Sequence, residues 1–269
     1  ACALFDAAAA WLRVRRMRCM RGPFSPNSHA ETGFLVDGHE AAPAFMMPCN
    51  PPYYAELAAQ CGLSGVKDLI DYDKPVSVPA PEQACRIAER LRRNPRVMLR
   101  RITQRTLRAD VEIVRQLYNE CWTDNWGFAP LTGEEARAIA TVLRWFGHEE
   151  TSLLAYYDGA PAGVYIAIPD INELLLRSRG RCEIMRVLQL LWQRRGARRA
   201  RTLMIGVKEH VRHLGMVALL YVEADRFLRQ HYQEQHFGWV LEENTAAHQM
   251  MRFVGGIARR RYRVFERAL

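Results

Sequence analysis

The sequence lacks an apolar run that approaches the roughly 20 residues a membrane-spanning helix needs. Its most apolar stretch, residues 188–192, is bounded by Arg186 and Arg194. The start ACALFDAAAAWL is no secretory signal, because Asp6 interrupts it and neither a basic residue nor an initiating methionine precedes it. We therefore expect a soluble, cytoplasmic chain that makes no membrane contact. We interpret the first residues as the end of a helix whose earlier part is missing.

Paired cysteines at metal-binding spacing are also lacking. The seven cysteines are odd in number, scattered along the chain, and never form a C-x-x-C pair. This pattern predicts reduced thiols in a cytosolic protein and argues against a zinc site. His210 and His213 lie three residues apart, but no third ligand accompanies them, so we predict no metal site.

Lysine is scarce, and its scarcity changes how the net charge of +9 should be interpreted. Only Lys67, Lys74 and Lys208 are lysines, so nearly all the positive charge is arginine. Clustered cations gain free energy by releasing counterions from nucleic-acid phosphates. The arginine runs at 92–105, 194–201 and 259–263, however, alternate with apolar residues as the solvent faces of strands and helices do. We favour solvated faces, and a nucleic-acid partner is the less favoured interpretation.

What the chain does have is an apolar strand-like run that breaks into a basic, glycine-bearing turn and then an amphipathic helix, at residues 203–217, LMIGVKEHVRHLGMV. Such a turn leaves backbone N–H groups unpaired at a helix N-terminus, where the helix dipole favours phosphate. The pattern predicts a nucleotide-type cofactor at this turn.

Three prolines in residues 73–81, DKPVSVPAP, exclude a continuous helix or a central strand there. We predict a self-contained unit at 96–269, beyond a linker and helix at 76–95. The unit begins with a strand, a helix over 109–122 and a second helix from Thr132. Two strands joined by Asp158-Gly159 follow, then a helical, arginine-rich insertion over 171–199. The unit ends with the strand and helix on either side of the turn within 203–217, then a strand FGWVLEE, a helix over 245–254 and a closing strand. This order predicts an α/β fold with a mixed sheet covered by helices.

Residues 1–75 hold a helix, short strands, a loop rich in glycine and proline, a helix near 54–61 and a short strand KDLIDY. This order matches the last part of the second unit without its beginning.

These residues resemble the GNAT superfamily of acyl-CoA-dependent N-acyltransferases. Residues 207–217 look like the pyrophosphate-binding turn of that family, and LEEN at 241–244, with Ala247 and Gly255, looks like the next strand and helix. The segments RMRCMRGPFSPNSHAETG, MMPCNPPYYAEL and YNECWTDNWGFAPLT are similar to a group of tandem GNAT-like proteins. The resemblance implies a complete GNAT-like domain at 96–269, preceded at 1–75 by the C-terminal part of a degenerate one.

The resemblance also implies acetyl-CoA or another acyl-CoA as co-substrate. The cofactor-binding residues that it implies are Val207, Arg212, His213, Leu214, Gly215, Met216, Val217 and Asn244. The turn departs from the family pattern at Glu209, His213 and Val217, where proline, glycine, and glycine or alanine are usual. Met251 stands where many members have a tyrosine that protonates the departing thiolate. Asn244 has a second interpretation, as the N-cap of the following helix.

A base must accept the proton when an amine attacks a thioester. Glu242 and Glu243, at the end of the strand FGWVLEE, are the carboxylate candidates. Because side chains alternate along a strand, we expect one of them to face inward. The alternative is that both cap the next helix or face solvent.

A cluster of aromatic and amide side chains follows the first helix of the second unit, where family members line the acceptor pocket. Core packing is the equally weighted alternative. The candidate substrate-binding residues are Asn119, Trp122, Asn125, Trp126 and Phe128.

The sequence therefore predicts an N-acyltransferase that transfers an acetyl or other acyl group from acyl-CoA to the amine of a small molecule or peptide. A catalytically inactive GNAT-like module that binds a ligand or partner is the alternative, and a nucleic-acid-binding protein is the third. Bare strand edges in an incomplete N-terminal half would favour self-association.

Overall fold

The computed structural model describes residues 1–25, 31–177 and 196–269. The elements of the N-terminal part, in chain order, are α1 (Cys2–Val14), β1 (Cys19–Gly22), β2 (Phe24–Ser25), β3 (Glu31–Thr32), β4 (Phe34–Asp37), α2 (Tyr53–Gln60), β5 (Ser64–Pro75) and α3 (Glu82–Arg92). The first half of the remainder comprises β6 (Val97–Arg101), α4 (Leu107–Cys121), α5 (Gly133–Phe146), a 3-10 turn (Glu149–Thr151), β7 (Ser152–Tyr157), β8 (Ala160–Pro169) and α6 (Ile171–Arg177). The last elements are β9 (Arg199–Val207), α7 (Glu209–Arg212), α8 (Met216–His231), β10 (Glu234–Leu241), α9 (Thr245–Phe253) and β11 (Ile257–Ala268).

Nine of the described strands form one mixed sheet in the order β1-β11-β5-β10-β9-β8-β7-β6, with β4 also paired to β11. β9 and β10 run parallel, whereas the other pairs of this sheet that the structure describes are antiparallel. Helix α8 packs on one face, where its Leu220 shares a core cluster with Tyr165 of β8, and α4 and α5 pack on the other over Leu154 and Ile166. The predicted α/β fold with a mixed, helix-covered sheet is confirmed.

Local signals in the sequence fix several element ends. Thr132 caps α5 through a capping box, because its hydroxyl accepts from the Glu135 amide while the Glu135 carboxylate accepts from the Thr132 amide. Asp158 and Gly159 adopt φ of 51° and 78°, the left-handed conformation that a tight hairpin between β7 and β8 requires. The predicted hairpin and the predicted start of α5 are confirmed.

Strand β5 is longer than predicted and lies in the middle of the sheet, between β10 and β11. The prediction that residues 73–81 exclude a central strand is wrong for its first residues, because β5 continues to Pro75. A proline at the last residue of a strand breaks no inner ladder hydrogen bond. The division into 1–75 and 96–269 stays a prediction, but the sheet runs across it.

The prediction of reduced thiols throughout is wrong for one pair of cysteines. A disulfide joins Cys2 at the start of α1 to Cys61 after α2, with the Cα atoms 5.0 Å apart. They are 59 positions apart in the sequence, so no local spacing reveals the pairing. Four further cysteines in the described ranges are free thiols: Cys19, Cys49, Cys85 and Cys121.

Helix α6 begins the predicted insertion at 171–199, and most of that insertion lies outside the described residues. Within the ranges that the structure describes, no helix is both long and apolar enough to span a bilayer.

Candidate functional site

A cleft opens in the sheet where β9 and β10 separate. Their parallel pairing covers only three positions, residues 199–201 opposite residues 234–236. Beyond them β9 continues to Val207 and β10 to Leu241 without pairing to each other. Backbone groups of the two strands therefore face the cleft with no partner on the opposite strand.

Both strands are irregular at this point. The pairing of β9 with β8 skips Leu203, and the pairing of β10 with β5 shifts at Gly238, whose φ is 82°. Such bulges bend a strand and redirect its side chains, and they are common beside binding sites. They help to hold the cleft open.

A cavity of about 130 Å³ lies at this cleft, on the α4 side of the sheet. Its lining residues are Met46, Tyr118, Trp122, Asn125, Trp126, Gly127, Phe128, Arg201, Leu203, Met204, Phe237, Gly238 and Trp239. The structure thus brings together four of the five predicted substrate-binding residues. Tyr118 and Trp122 stack with ring centroids 5.0 Å apart, and Trp122 covers Gly206, where a Cβ would lie 2.2 Å from its ring.

Asn119, the fifth predicted residue, does not line the cavity. Its Oδ1 accepts from the Leu131 amide at 2.7 Å, and its Nδ2 donates to the Leu131 carbonyl at 3.3 Å. These bonds close the loop that carries Trp122 and Trp126, so Asn119 positions the cavity wall.

The exposed edge of the cavity is basic. Trp126 lies within 4.8 Å of the Arg21 guanidinium and 5.4 Å of the Lys67 ammonium, measured to its ring centroid. Arg21 also pairs with Glu266 at 2.7 Å and Lys67 with Glu243 at 2.8 Å. The two cations come from the N-terminal segment, so the cavity is completed by both parts of the chain.

Arg201 is the one formally charged residue that lines the cavity, and it is only 7% exposed. Its guanidinium donates to the Phe45 carbonyl at 3.1 Å and to the Thr202 carbonyl at 2.9 Å. A Cβ at Gly238 would lie 2.3 Å from Nη1, so only glycine fits beneath it. The prediction that the arginines at 194–201 form a solvated face is therefore wrong for Arg201.

Arg201 belongs to a buried group of charged side chains that we call the fork cluster: Arg201, His236, Asp71, Asp73 and Arg260. His236 stands directly opposite Arg201 in the β9–β10 register. Its Nε2 lies 2.8 and 2.9 Å from the two carboxylate oxygens of Asp71. Arg260 Nη1 lies 2.8 Å from Asp71 and 3.3 Å from Asp73.

Burial and the neighbouring charges within the fork cluster determine which of its members are protonated. Burial raises the pKa of Asp71, but His236 and Arg260 outweigh that effect and hold the pKa at about 2. Burial lowers the pKa of His236 below its ordinary value despite the nearby carboxylates. Asp71 is therefore ionised and His236 is neutral near pH 7.

Asp71, Asp73 and His236 bring their ligand atoms within 4.8 Å of one another, a spacing that suits a metal ion. However, Nη1 of Arg260 contacts both carboxylates, and Arg201 adds a second positive charge. Two arginines already balance the two carboxylates, so these residues do not fit a divalent cation.

The predicted pyrophosphate turn follows β9 and leads into α8. The amides of Leu214 and Gly215 donate to the carbonyls of Val211 and Arg212, both at 3.1 Å, and are already used. Gly215 has a φ of 84°, and a Cβ there would lie 2.6 Å from a methyl group of Ile87 in α3.

Other predicted members of the turn also have their polar groups or side chains engaged within the protein, or lie exposed. Arg212 donates to the carbonyls of Val207 at 3.2 Å and Cys121 at 3.4 Å. His213 is exposed where α7 ends. Met216 and Val217 are the first residues of α8, where amides have no intrahelical acceptor. Met216 is fully buried, so the Val217 amide is the donor of this pair that stays accessible to a phosphate.

The predicted carboxylates lie outside the cleft. β10 ends at Leu241, and Glu242 and Glu243 are both exposed in the turn that follows. Glu242 lies 3.4 Å from Arg261, and Glu243 pairs with Lys67. The expectation that one of them faces inward is wrong, because the strand has ended before the alternation applies; their catalytic role stays a prediction. Asn244 caps α9, accepting from the Ala247 amide at 3.1 Å.

The chain is similar to known proteins in sequence and in fold. No protein-family model matches the chain. Protein YghO of Escherichia coli is 30% identical over 275 residues, covering 99% of this chain and 70% of its own. The bacterial ceramide synthase of Caulobacter vibrioides is 30% identical over 273 residues, covering 99% of this chain and 71% of its own.

Solved structures show the same fold. A GCN5-related N-acetyltransferase from Sphaerobacter thermophilus is 18% identical, covers 80% of this chain and 55% of its own, and gives a TM-score of 0.51. A tandem GNAT protein from the clavulanic acid biosynthesis pathway is 13% identical, covers 99% and 69%, and gives 0.52. The GNAT-type fold inferred from the turn and the strand after it is confirmed.

Proposed function

We propose that this chain, which belongs to the family of the bacterial ceramide synthase of Caulobacter vibrioides and protein YghO, is an N-acyltransferase. It moves an acyl group from acyl-CoA to the amine of a long-chain amino alcohol, the class of acceptor from which a ceramide is made. The observation that carries the proposal is the aromatic cavity beside the cleft of a GNAT-type sheet.

The cleft suits acyl transfer because its backbone groups are held rigidly and left unpaired. Attack of an amine on a thioester places negative charge on the carbonyl oxygen, and fixed N–H donors stabilise that charge. β9 and β10 offer such donors beyond Arg201 and His236, where their pairing ends. The proposal therefore places the thioester between the two strands.

The cavity suits an amine attached to an apolar chain. Its walls are aromatic or aliphatic apart from Asn125, Arg201 and the tyrosine hydroxyl. The positive charge of Arg201 disfavours an ammonium ion and favours the neutral amine, which is the nucleophilic form. At about 130 Å³ the cavity is smaller than the roughly 300–1,000 Å³ that encloses a drug-sized ligand. We expect it to hold the amino-alcohol head while the chain leaves past Trp126.

The acyl-CoA is proposed to approach along the turn between β9 and α8. The amide of Val217, at the positive end of the helix dipole, is placed to receive its diphosphate. Ile87 lies against Gly215, so α3 borders this approach. Asn244 uses its Oδ1 to cap α9, which leaves its amide group for the pantetheine.

The proposed function is tested by an assay of acyl transfer. The chain is incubated with acyl-CoA of two to sixteen carbons and with either a long-chain amino alcohol or ethanolamine, while thiol release and the mass of the amide product are followed. We expect turnover with the long-chain amine and little with ethanolamine. Trp122→Ala should raise the KM for the amine, whereas Trp145→Ala, at a half-exposed position on α5, should not. No thiol release above buffer with any pair would refute the proposal.

A non-catalytic GNAT-like module is the competing function, and the contact of Ile87 with Gly215 favours it. Ligands that bind the native state raise its melting temperature by mass action. A module that has lost its cofactor should show neither thiol release nor a melting shift with millimolar CoA.

A further inference from the structure

His236 occupies the point of the sheet where the cleft begins. It is the last residue of β10 that pairs with β9, and the next two residues, Phe237 and Gly238, line the aromatic cavity. Its partner across the pair is Arg201, the charged residue of that cavity. The imidazole is fully buried, and although His236 is not itself among the lining residues, directly paired residues point to the same face of a sheet, so it lies on the face of the cavity-lining Arg201.

The hydrogen bonds of His236 fix which ring nitrogen carries the lone pair. The ionised carboxylate of Asp71 can only accept, so the neighbouring Nε2 carries the hydrogen and donates it. Nδ1 is then an acceptor, and it is buried without a hydrogen-bond partner among the described residues. An unpaired acceptor in the interior is costly and calls for an explanation.

The contrast with His248 sharpens this observation. His248 is also buried, on α9, but its Nδ1 accepts from the Tyr72 hydroxyl at 2.7 Å and its Nε2 donates to the Leu241 carbonyl at 3.0 Å. Both of its ring nitrogens are therefore used by the fold. His236 is also buried, but one of its ring nitrogens has no hydrogen-bond partner among the described residues.

We propose that Nδ1 of His236 takes the proton from the acceptor amine during acyl transfer, with Asp71 as the residue that positions the ring; this inference rests on the function proposed above. The amine nitrogen forms a bond to the thioester carbonyl carbon and gives its proton to Nδ1. The carbon–sulfur bond breaks, and the imidazolium returns the proton to the departing CoA thiolate. The products are an amide and free CoA, and His236 is neutral again.

The charges around the ring suit a base that is protonated only briefly. Asp71 and Asp73 on β5 stabilise the imidazolium, with Asp73 Oδ1 at 3.9 Å from Nε2. Burial and the positive charge of Arg201 on β9 oppose it and keep the resting ring neutral. Arg260 on β11 pairs with Asp71. The hydroxyl of Tyr262, also on β11, is buried nearby without a partner among the residues that the structure describes.

The experiment compares His236→Ala with His248→Ala, which also removes a buried imidazole. We expect His236→Ala to lower kcat by roughly 10²–10⁴-fold, the range of a lost general base, with the KM for acyl-CoA little changed. Added imidazole should restore part of the kcat of His236→Ala and none of any activity lost in His248→Ala. A kcat within threefold of the wild type, or loss that imidazole leaves unchanged in a folded variant, would overturn the role of His236.

The wild-type pH profile supplies a measurement that needs no variant. Since burial lowers the pKa of His236 from 6.5, kcat at saturating amine should fall only below pH 6.5. A fall that begins above pH 7 would contradict the inference. Absence of transfer by the wild type would instead refute the proposed function, so the two failures are distinct.

Discussion

The buried ion pair between Lys74 and Asp225 ties the N-terminal segment to the rest of the protein. Lys74 lies on β5 and Asp225 on α8, their side chains are 0% and 4% exposed, and Nζ lies 2.9 Å from the carboxylate. Burial lowers the pKa of Lys74, which shows that its charge depends on this partner. Removing one member of such a pair leaves an uncompensated interior charge, at a cost of about 3–5 kcal/mol.

We expect Lys74→Met to lower the free energy of unfolding by about that amount. Asp225→Leu should cost about 1 kcal/mol more, because the Tyr221 hydroxyl, 3.3 Å from the same carboxylate, also loses its acceptor. The double variant leaves no buried charge, so it should be more stable than either single variant.

Urea unfolding followed by tryptophan fluorescence and by circular dichroism measures these changes. Arg86→Met is the matched control, because Arg86 pairs with Glu82 at 2.7 Å on the surface, where the side chains are 67% and 83% exposed. Such pairs contribute under about 1 kcal/mol. If Lys74→Met costs no more than Arg86→Met, or if the two interior substitutions simply add, the reasoning about the buried pair is wrong.

Three further outcomes follow from the structure. Gly206→Ala should displace the Trp122 ring, since a Cβ would lie 2.2 Å from it, and should raise the KM for the amine while the melting shift with CoA persists; an unchanged KM would contradict this. The pKa of Asp71, about 2 instead of the ordinary 3.8, should add about 2 kcal/mol of stability that is complete above pH 4 and lost as pH falls towards 2. Asp71→Asn should remove that part of the acid-unfolding curve, and an identical curve would refute it. Asn244→Ala should cost about 1 kcal/mol in urea unfolding by removing the cap of α9, and Asn244→Asp should retain most of it.

Several elements followed from neighbouring residues alone. The spacing of apolar residues predicts α4 and α5, and the capping box at Thr132 and the pair Asp158-Gly159 identify a helix start and a hairpin. Five aromatic and amide residues around the end of α4 were candidates for the acceptor pocket, and four of them line a cavity. Signals of this kind lie within a few residues of one another, so no tertiary contact is needed to interpret them.

The central residues of the candidate site were missed for the opposite reason. Arg201 and Arg260 belong to basic runs that alternate like solvent faces, and only the tertiary structure shows that both are buried beside Asp71. His236 and Asp71 are 165 residues apart in the chain. The alternation of acidic residues in DYDK, directly after the apolar pair Leu69-Ile70, was the one sequence signal that could have indicated a buried charge partner.

The sequence by itself therefore determined the α/β class, the turn between β9 and α8, the caps and the aromatic wall, because each depends on local conformation and on periodicity. The tertiary structure alone decided that β5 lies between β10 and β11, that Cys2 reaches Cys61, and that His236 keeps a free ring nitrogen at the cleft. These features depend on pairings between distant segments, where the choice of partner is set by the burial and charge of the whole sheet.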